Sequence, residues 1–443
     1  VAVIAPQRLP SPASVRFGRL SSLLFHFRSA DLDVTQALSG QLLTFARAGG
    51  DAYSTDATGR VYVNPYGQAR FGMHDYDGDG IRETPGLVLE PSKTNILLQS
   101  DNVPNASWTK TRSSAVLVSG IAPDGGSLSL LKEDATASST HLATQVVTIT
   151  AGDYLTISVF VKAKERTKGY LQAVNGADVL RVLFDLAAVT VTVSNGGTSV
   201  AVDSGIKDEG NGVYRVWITG QVNAGSTSIT CGLGLRDASG NASYSGDGAS
   251  GMYWWRADFK DGSGTGSELW SAIGTTTATV TRAAESLIAT LAWPFQDSLT
   301  LYAKVARPDW YLHSGSLQTS HFPLSLSDTA PYLRMFYNAS TRVAGAQVND
   351  GSGNTSVTLS QPATTPNELC MQATGLKSGG TIRLDVGAGF GSPSAAVAAF
   401  TALGDSIIRV GASGAGAGLM GSAIHTLKVA AGLRSLTEMQ RMF

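Results

Sequence analysis

Apolar and polar residues alternate in one short segment after another along this chain, and a two-residue period fits a half-buried β-strand rather than a helix. In DYLTISVFVKA, residues 153–163, Leu155, Ile157, Val159 and Val161 share one face while Thr156 and Ser158 share the other. LRVLFDL, VTVTVS, VYRVWITGQV, SITCGLGL and MYWWRADF follow, separated by NGG, DEGNG, NAG and DASGN turns. Packing sheet on sheet is the economical way to bury such strands, so residues 99–283 are expected to form an antiparallel sandwich. SLTLYAKVAR, YLRMFYNA, TSVTLS, ELCMQATGL, TIRLDVGAG and AIHTLKVA extend the reading to a second sandwich over residues 286–443. Near its end, Ser435 and Glu438 form an S-x-x-E capping box, which predicts a short terminal helix. The expected fold class is all-β: two tandem antiparallel β-sandwich (jelly-roll) domains preceded by an extended N-terminal assembly segment.

Composition sets limits on function. The chain has 443 residues, 50 glycines and 15% charged residues, against about 25% charged in average proteins. A net charge of −1 supplies no basic field for nucleic acid or an anionic membrane. Apolar runs stay short of the ~18 residues of a membrane span. The opening VAVIAPQRLPSP has no cationic region leading into an apolar core, so no secretory signal is expected. Two cysteines, Cys231 and Cys370, are too few for a disulfide framework. Cys231 alternates with Ile229, Leu233 and Leu235, which predicts a small buried hydrophobe.

Two segments precede the first sandwich. Residues 1–41 hold apolar patches at 1–4 and 20–27 in a Pro- and Arg-punctuated context. They read either as a poorly ordered leader or as an arm that docks on a neighbouring subunit or on a larger particle. Residues 42–98 read as a β segment of their own, with alternation in RVYVN and GLVLE around a PYGQ turn. Within it, Asp75, Asp77, Asp79 and Glu83 place oxygens at calcium-loop spacing, with Gly80 at the turn. Position 12 is Gly86 where an EF-hand needs a glutamate, and the flanks read as strands. Calcium held by these four residues and a metal-free Asp-Gly hairpin turn both remain open.

The 42–98 segment carries a long, irregularly spaced pattern: Phe45, Arg47, Ala48, Ala52, Tyr53, Asp56, Gly59, Asn64, Arg70, Phe71, Asp75, Gly86, Leu87, Leu89, Glu90, Thr94, Asn95 and Leu97. WTK at 108–110, APDG at 122–125, EDATASSTH at 133–141 and TVTRAAE at 279–285 follow it in order. The combination resembles a family of tailed-bacteriophage virion proteins: fibres, spikes and minor tail or head-surface proteins with a carbohydrate-binding-module-like sandwich. The end of the chain is similar to concanavalin-like (laminin-G-like) phage domains. The resemblance implies a virion surface or tail-tip location, trimerisation, contacts with phage particle proteins, and attachment to a host surface glycan. Members usually carry YIWGAQLE in the penultimate strand; this chain has YWWRAD at 253–258 instead. A bacterial cell-surface or secreted carbohydrate-binding protein is the alternative, and a polysaccharide depolymerase a third.

No catalytic constellation emerges from the sequence, and an enzyme is not expected. GAGLMG at 416–421 fits G-x-G-x-x-G, but a strand-like segment follows where a dinucleotide site needs a helix. The six histidines show no metal spacing. Sugar binding needs exposed indole or phenol rings among short polar groups. The candidates are Trp254, Trp255, Trp270, Trp310 and Tyr311, with Arg256 and Asp258 nearby. A place in a core or a subunit interface is the stronger reading for each aromatic, and since adjacent Trp254 and Trp255 must point to opposite faces of a strand, one of them is expected in the core.

Overall fold

The computed structural model describes residues 22–26, 43–56, 60–64, 67–74, 84–262, 269–290, 296–305, 321–327, 329–338, 343–360, 367–386, 391–405, 407–411 and 423–441. Among them, strands dominate and pair antiparallel throughout. The expected strand at Tyr154–Ala163 forms at the centre of an eight-stranded sheet, between Val213–Gln221 and Gly251–Gly262. Its Leu155, Ile157, Val159 and Val161 face inward. They meet Leu171, Val182, Ile229 and Leu233 from a six-stranded sheet, with Phe184 of that sheet edge-on to Trp254 at 6.0 Å. Cys231 lies in this core, where burial pushes its thiol up. The strands Lys93–Asn95 and Val280–Arg282, which pair with each other, bound this first sandwich.

The second sandwich is assembled from both ends of the chain. Its two seven-stranded sheets enclose a core that includes Leu301, Met371, Leu384 and Leu427 from one and Leu324, Met335, Val348 and Ile408 from the other. Strands before the first sandwich complete both sheets. Leu43–Ala46 pairs with Ser286–Thr290, and Arg70–His74 pairs with Thr84–Val88. Thr84–Val88 in turn borders Ala423–Ala431. Leu87 and Leu89 sit fully inside the C-terminal core. Sequence reading treats 42–98 as a unit of its own, because strand partners hundreds of residues apart leave no local signal. The pairing instead distributes that segment: three of its strands serve the second sandwich, two more form a hairpin that covers the first, and the first sandwich is inserted within the second.

The N-terminal arm shows the same behaviour. Ser22–His26 pairs with Thr426–Ala430 of its own chain, from Ser22 opposite Ala430 to His26 opposite Thr426. The described part of the arm thus adds a strand to the second sandwich of its own chain. At the other terminus the capping box forms: Ser435 N–H donates to Glu438 at 2.7 Å and Glu438 N–H to Ser435 Oγ at 3.2 Å. The helix Leu436–Arg441 lays Met439 against Tyr302, Cys370 and Ala430. Buried Lys428 donates to the Met439 and Gln440 carbonyls at 2.5 and 3.2 Å, a cation placed where the helix end is electronegative.

Glycine has a packing role inside these sheets. Tyr170 lies across Gly234 on the neighbouring strand, and Phe336 lies across Gly345 in the second sandwich. A Cβ at either glycine would occupy the space of the ring.

Candidate functional site

The aromatic candidates for sugar contact are placed by a β-bulge. Where Gly251–Gly262 pairs with Tyr154–Ala163, the register slips between Ser158 and Phe160, so that one partner residue opposes both Arg256 and Ala257. Arg256 takes the left-handed conformation, φ 50°. The extra residue resets the alternation, so Trp254, Ala257 and Phe259 all face the inter-sheet core while Arg256 turns outward. Trp255 also points outward, but Tyr53 and Val61 of the hairpin Ala52–Thr55 and Val61–Asn64 cover it. The Arg256 guanidinium lies between the Tyr53 ring, 3.9 Å away, and the Trp255 ring, 4.4 Å away. It also makes a bidentate pair with Asp101 at 3.1 and 2.9 Å.

Trp254, Trp255, Trp270, Arg256 and Asp258 are thus all buried, at 4% exposure or less. Their assignment as sugar contacts is corrected on that ground: a ring without an accessible face cannot stack on a sugar. Asp258 is paired with Lys260 and lies 3.9 Å from Arg215. Burial, together with Arg215 and Arg282, lowers the Lys260 ammonium to about 8 against the pull of Asp258. Trp310 and Tyr311, the loop of Asp75, Asp77, Asp79 and Glu83, and the glycines at 416–421 lie outside the described residues. Among the described residues no group of three or more His, Cys, Asp or Glu could hold a metal ion.

A buried ion network sits where the chain crosses between the sandwiches. Arg47 donates to Glu285 at 2.6 Å and to the Asn64 carbonyl at 2.8 Å. Arg70 donates through Nε to the same carboxylate at 2.8 Å, forms a second, very short contact with it, and reaches Glu90 at 3.0 Å. Arg282 closes on Glu90 at 2.5 Å. Ser271 donates to Glu90 from its backbone N–H and its hydroxyl, at 2.9 and 2.7 Å. Burial pushes the Glu90 carboxyl up, but Arg282, Arg70 and the Ser271 bonds outweigh it and hold it well below the usual carboxylate range. Asn95 works alongside, donating to the carbonyls of Ala257 and Ile273 and accepting from the backbone of Leu97 and Phe259. Arg47, Arg70, Glu90 and Asn95 belong to the pattern in 42–98, and Arg282 and Glu285 to TVTRAAE. The spacing alone gave no sign that these residues converge.

EDATASSTH forms a second buried cluster. Glu133 accepts from Arg166 at 2.5 and 2.8 Å, from the Tyr244 hydroxyl at 2.6 Å and from Asp247 N–H at 2.9 Å. His141 Nδ1 lies 2.6 Å from the Arg112 carbonyl. Every acceptor site on Glu133 that these partners reach is used in holding loops together.

A pocket of about 300 Å³ opens at one end of the eight-stranded sheet of the first sandwich. It is bounded by the turn at 120–125, the turn at 210–213, Lys162 and Arg60. The hairpin that covers Trp255 also brings Arg60 here, since Val61 N–H donates to the Pro123 carbonyl at 3.0 Å. Tyr62 of the same hairpin keeps 44% of its surface exposed, and the Arg60 guanidinium stands 5.2 Å from its ring. The sequence reading missed Arg60, Tyr62 and Lys162, which no motif connects.

No family model matches the chain, and no curated protein matches it. Among solved structures, the chain is similar to mouse laminin alpha1 chain, domains LG4-5, at 11% identity and a TM-score of 0.22, covering 66% of this chain and 85% of that one. It is also similar to the full extracellular region of zebrafish Gpr126/Adgrg6, at 11% identity and a TM-score of 0.22, covering 75% of this chain and 37% of that one.

Proposed function

We propose that this chain is a structural component of a tailed-phage particle, a fibre, spike or minor tail or head-surface protein, that docks on the particle and presents lectin-like sandwiches to the host surface. The observation that carries the reading is the ion network at the domain crossings. Arg47, Arg70 and Glu90 of the family-like pattern and Arg282 and Glu285 of TVTRAAE make up that network, so this part of the shared pattern reads as the join of a two-domain building block. Buried carboxylates support a mechanical role too. Glu90, Glu285, Glu133 and Asp258 are each neutralised by arginine or lysine. A carboxylate held against a buried cation is locked in place, and losing its partner would leave an uncompensated charge in the interior. Self-association into a trimer belongs to the same proposal.

Antibody labelling of purified particles in the electron microscope tests it. Label at the tail tip or capsid surface is the expected result. Recovery of the chain only from the bacterial envelope, with unlabelled particles, would replace it with a bacterial surface protein.

A further inference from the structure

We infer that the pocket between Arg60 and Lys162 binds an acidic sugar, with the carboxylate of the sugar held by the two cations and its ring laid on the apolar wall of Ile121, Pro123 and Val213. The inference rests on the attachment reading and names the ligand class of that attachment. Three observations carry it.

The first is charge. The residues lining the pocket include two cations, Arg60 and Lys162, and no carboxylate. The acid within the turn, Asp124, is directed elsewhere: its carboxylate accepts from Gly126 N–H at 2.8 Å and lies 3.6 Å from buried Arg256. Asp56, near Arg60 in sequence, accepts from Arg60 N–H and from the Tyr62 hydroxyl, both at 3.0 Å. A guanidinium and an ammonium at one cavity favour an anion, and a planar guanidinium matches a carboxylate with two parallel hydrogen bonds.

The second is shape. Gly120 and Gly125 line the pocket in left-handed conformations, φ 78° and 82°, and a Cβ at either would meet nothing within 4 Å. The left-handed turn that these glycines allow shapes one side of the pocket. The third is the mix of surfaces. Ile121 is 37% exposed at the wall, beside the two cations, which gives the mix of apolar face and polar edge that a pyranose requires.

Calorimetric titration of the full chain with trigalacturonate at low salt provides the test. Binding is expected, with galactotriose, the neutral counterpart, giving none. Arg60→Gln and Lys162→Gln should each weaken binding about tenfold, the scale of one charge-assisted contact. Lys377→Gln, in the other sandwich, should bind as the wild type does. Both pocket residues are at the surface, so unchanged unfolding midpoints will show that the variants fold. The inference is overturned if trigalacturonate fails to bind, if the double variant binds as well as the wild type, or if glucose 6-phosphate and inorganic phosphate compete equally, which would mark a phosphate site. Particle labelling is independent of these outcomes: labelled particles whose protein ignores trigalacturonate remove the sugar inference alone.

Discussion

Glu90 and Glu285 join the two strands of chain that pass between the sandwiches. Glu285 N–H donates to the Glu90 carbonyl at 3.0 Å, and Glu90 N–H donates to the Glu285 carboxylate at 2.9 Å. One residue lies on the outward crossing and the other on the return, so their mutual bonds close the loop that contains the whole first sandwich. Two carboxylates this close persist only because Arg47, Arg70 and Arg282 surround them.

Removing Glu285 should therefore cost more than a surface ion pair. Glu285→Ala leaves Arg47 and Arg70 buried without their shared partner, and the expected loss is about 3–5 kcal/mol. Urea unfolding followed by tryptophan fluorescence will measure it. Because Trp254, Trp255 and Trp270 are all in or against the first sandwich, a second probe such as far-UV dichroism will report whether the sandwiches separate in the variant.

Acid should weaken the junction through Glu90. Its folded-state affinity for protons is depressed, so the stability it contributes is complete above the ordinary carboxylate range near pH ~4.3 and is lost as pH falls below it. The wild type should lose stability as pH falls below about 4.3, because the unfolded chain takes up a proton there that the folded Glu90 carboxylate does not. Glu90→Gln, already weakened, should show a shallower slope over the same window in thermal melts.

Lys260 gives the same sign of slope in a separate, alkaline window. Its ammonium titrates at about 8 in the folded protein, below the ordinary lysine value of about 10.4. Between those two values the unfolded chain holds more protons, so folding stability rises with pH through this window. The difference in stability between wild type and Lys260→Gln, read from urea midpoints, should move in favour of the wild type as pH rises from 8 towards 10.

Much of this architecture was legible because alternation is local. Leu155, Ile157, Val159 and Val161 face the core as their period requires, and Ser435 and Glu438 cap the helix that their spacing announces. What was not legible depends on partners far apart in sequence. Leu43–Ala46 reads as part of a separate segment, and only its pairing with Ser286–Thr290 assigns it to the C-terminal sandwich. Arg256 reads as a polar neighbour of two indoles; the bulge that swings it between Tyr53 and Trp255 leaves no trace in the sequence. Arg60 and Lys162 are about a hundred residues apart and meet only because the hairpin folds back over the first sandwich.

Close cross-strand packing makes its own prediction. Gly234→Ala would drive a methyl group into the buried Tyr170 ring, which is hemmed in by Arg181 at 5.3 Å from its centroid. Overpacking of this kind costs about 1–3 kcal/mol. A matched drop in the urea midpoint, rescued in part by Tyr170→Leu in the same chain, would show that the ring is the obstacle.

The central claim is that strands before the first sandwich are integral to the second. Residues 286–443 expressed alone, without Leu43–Ala46, Arg70–His74 and Thr84–Val88 and without the core side chains of Leu87 and Leu89, give the most direct measurement by two-dimensional amide NMR. The account predicts a collapsed, poorly dispersed spectrum and no cooperative melt. A well-dispersed spectrum with a sharp thermal transition would show that the C-terminal sandwich stands by itself and would contradict the account.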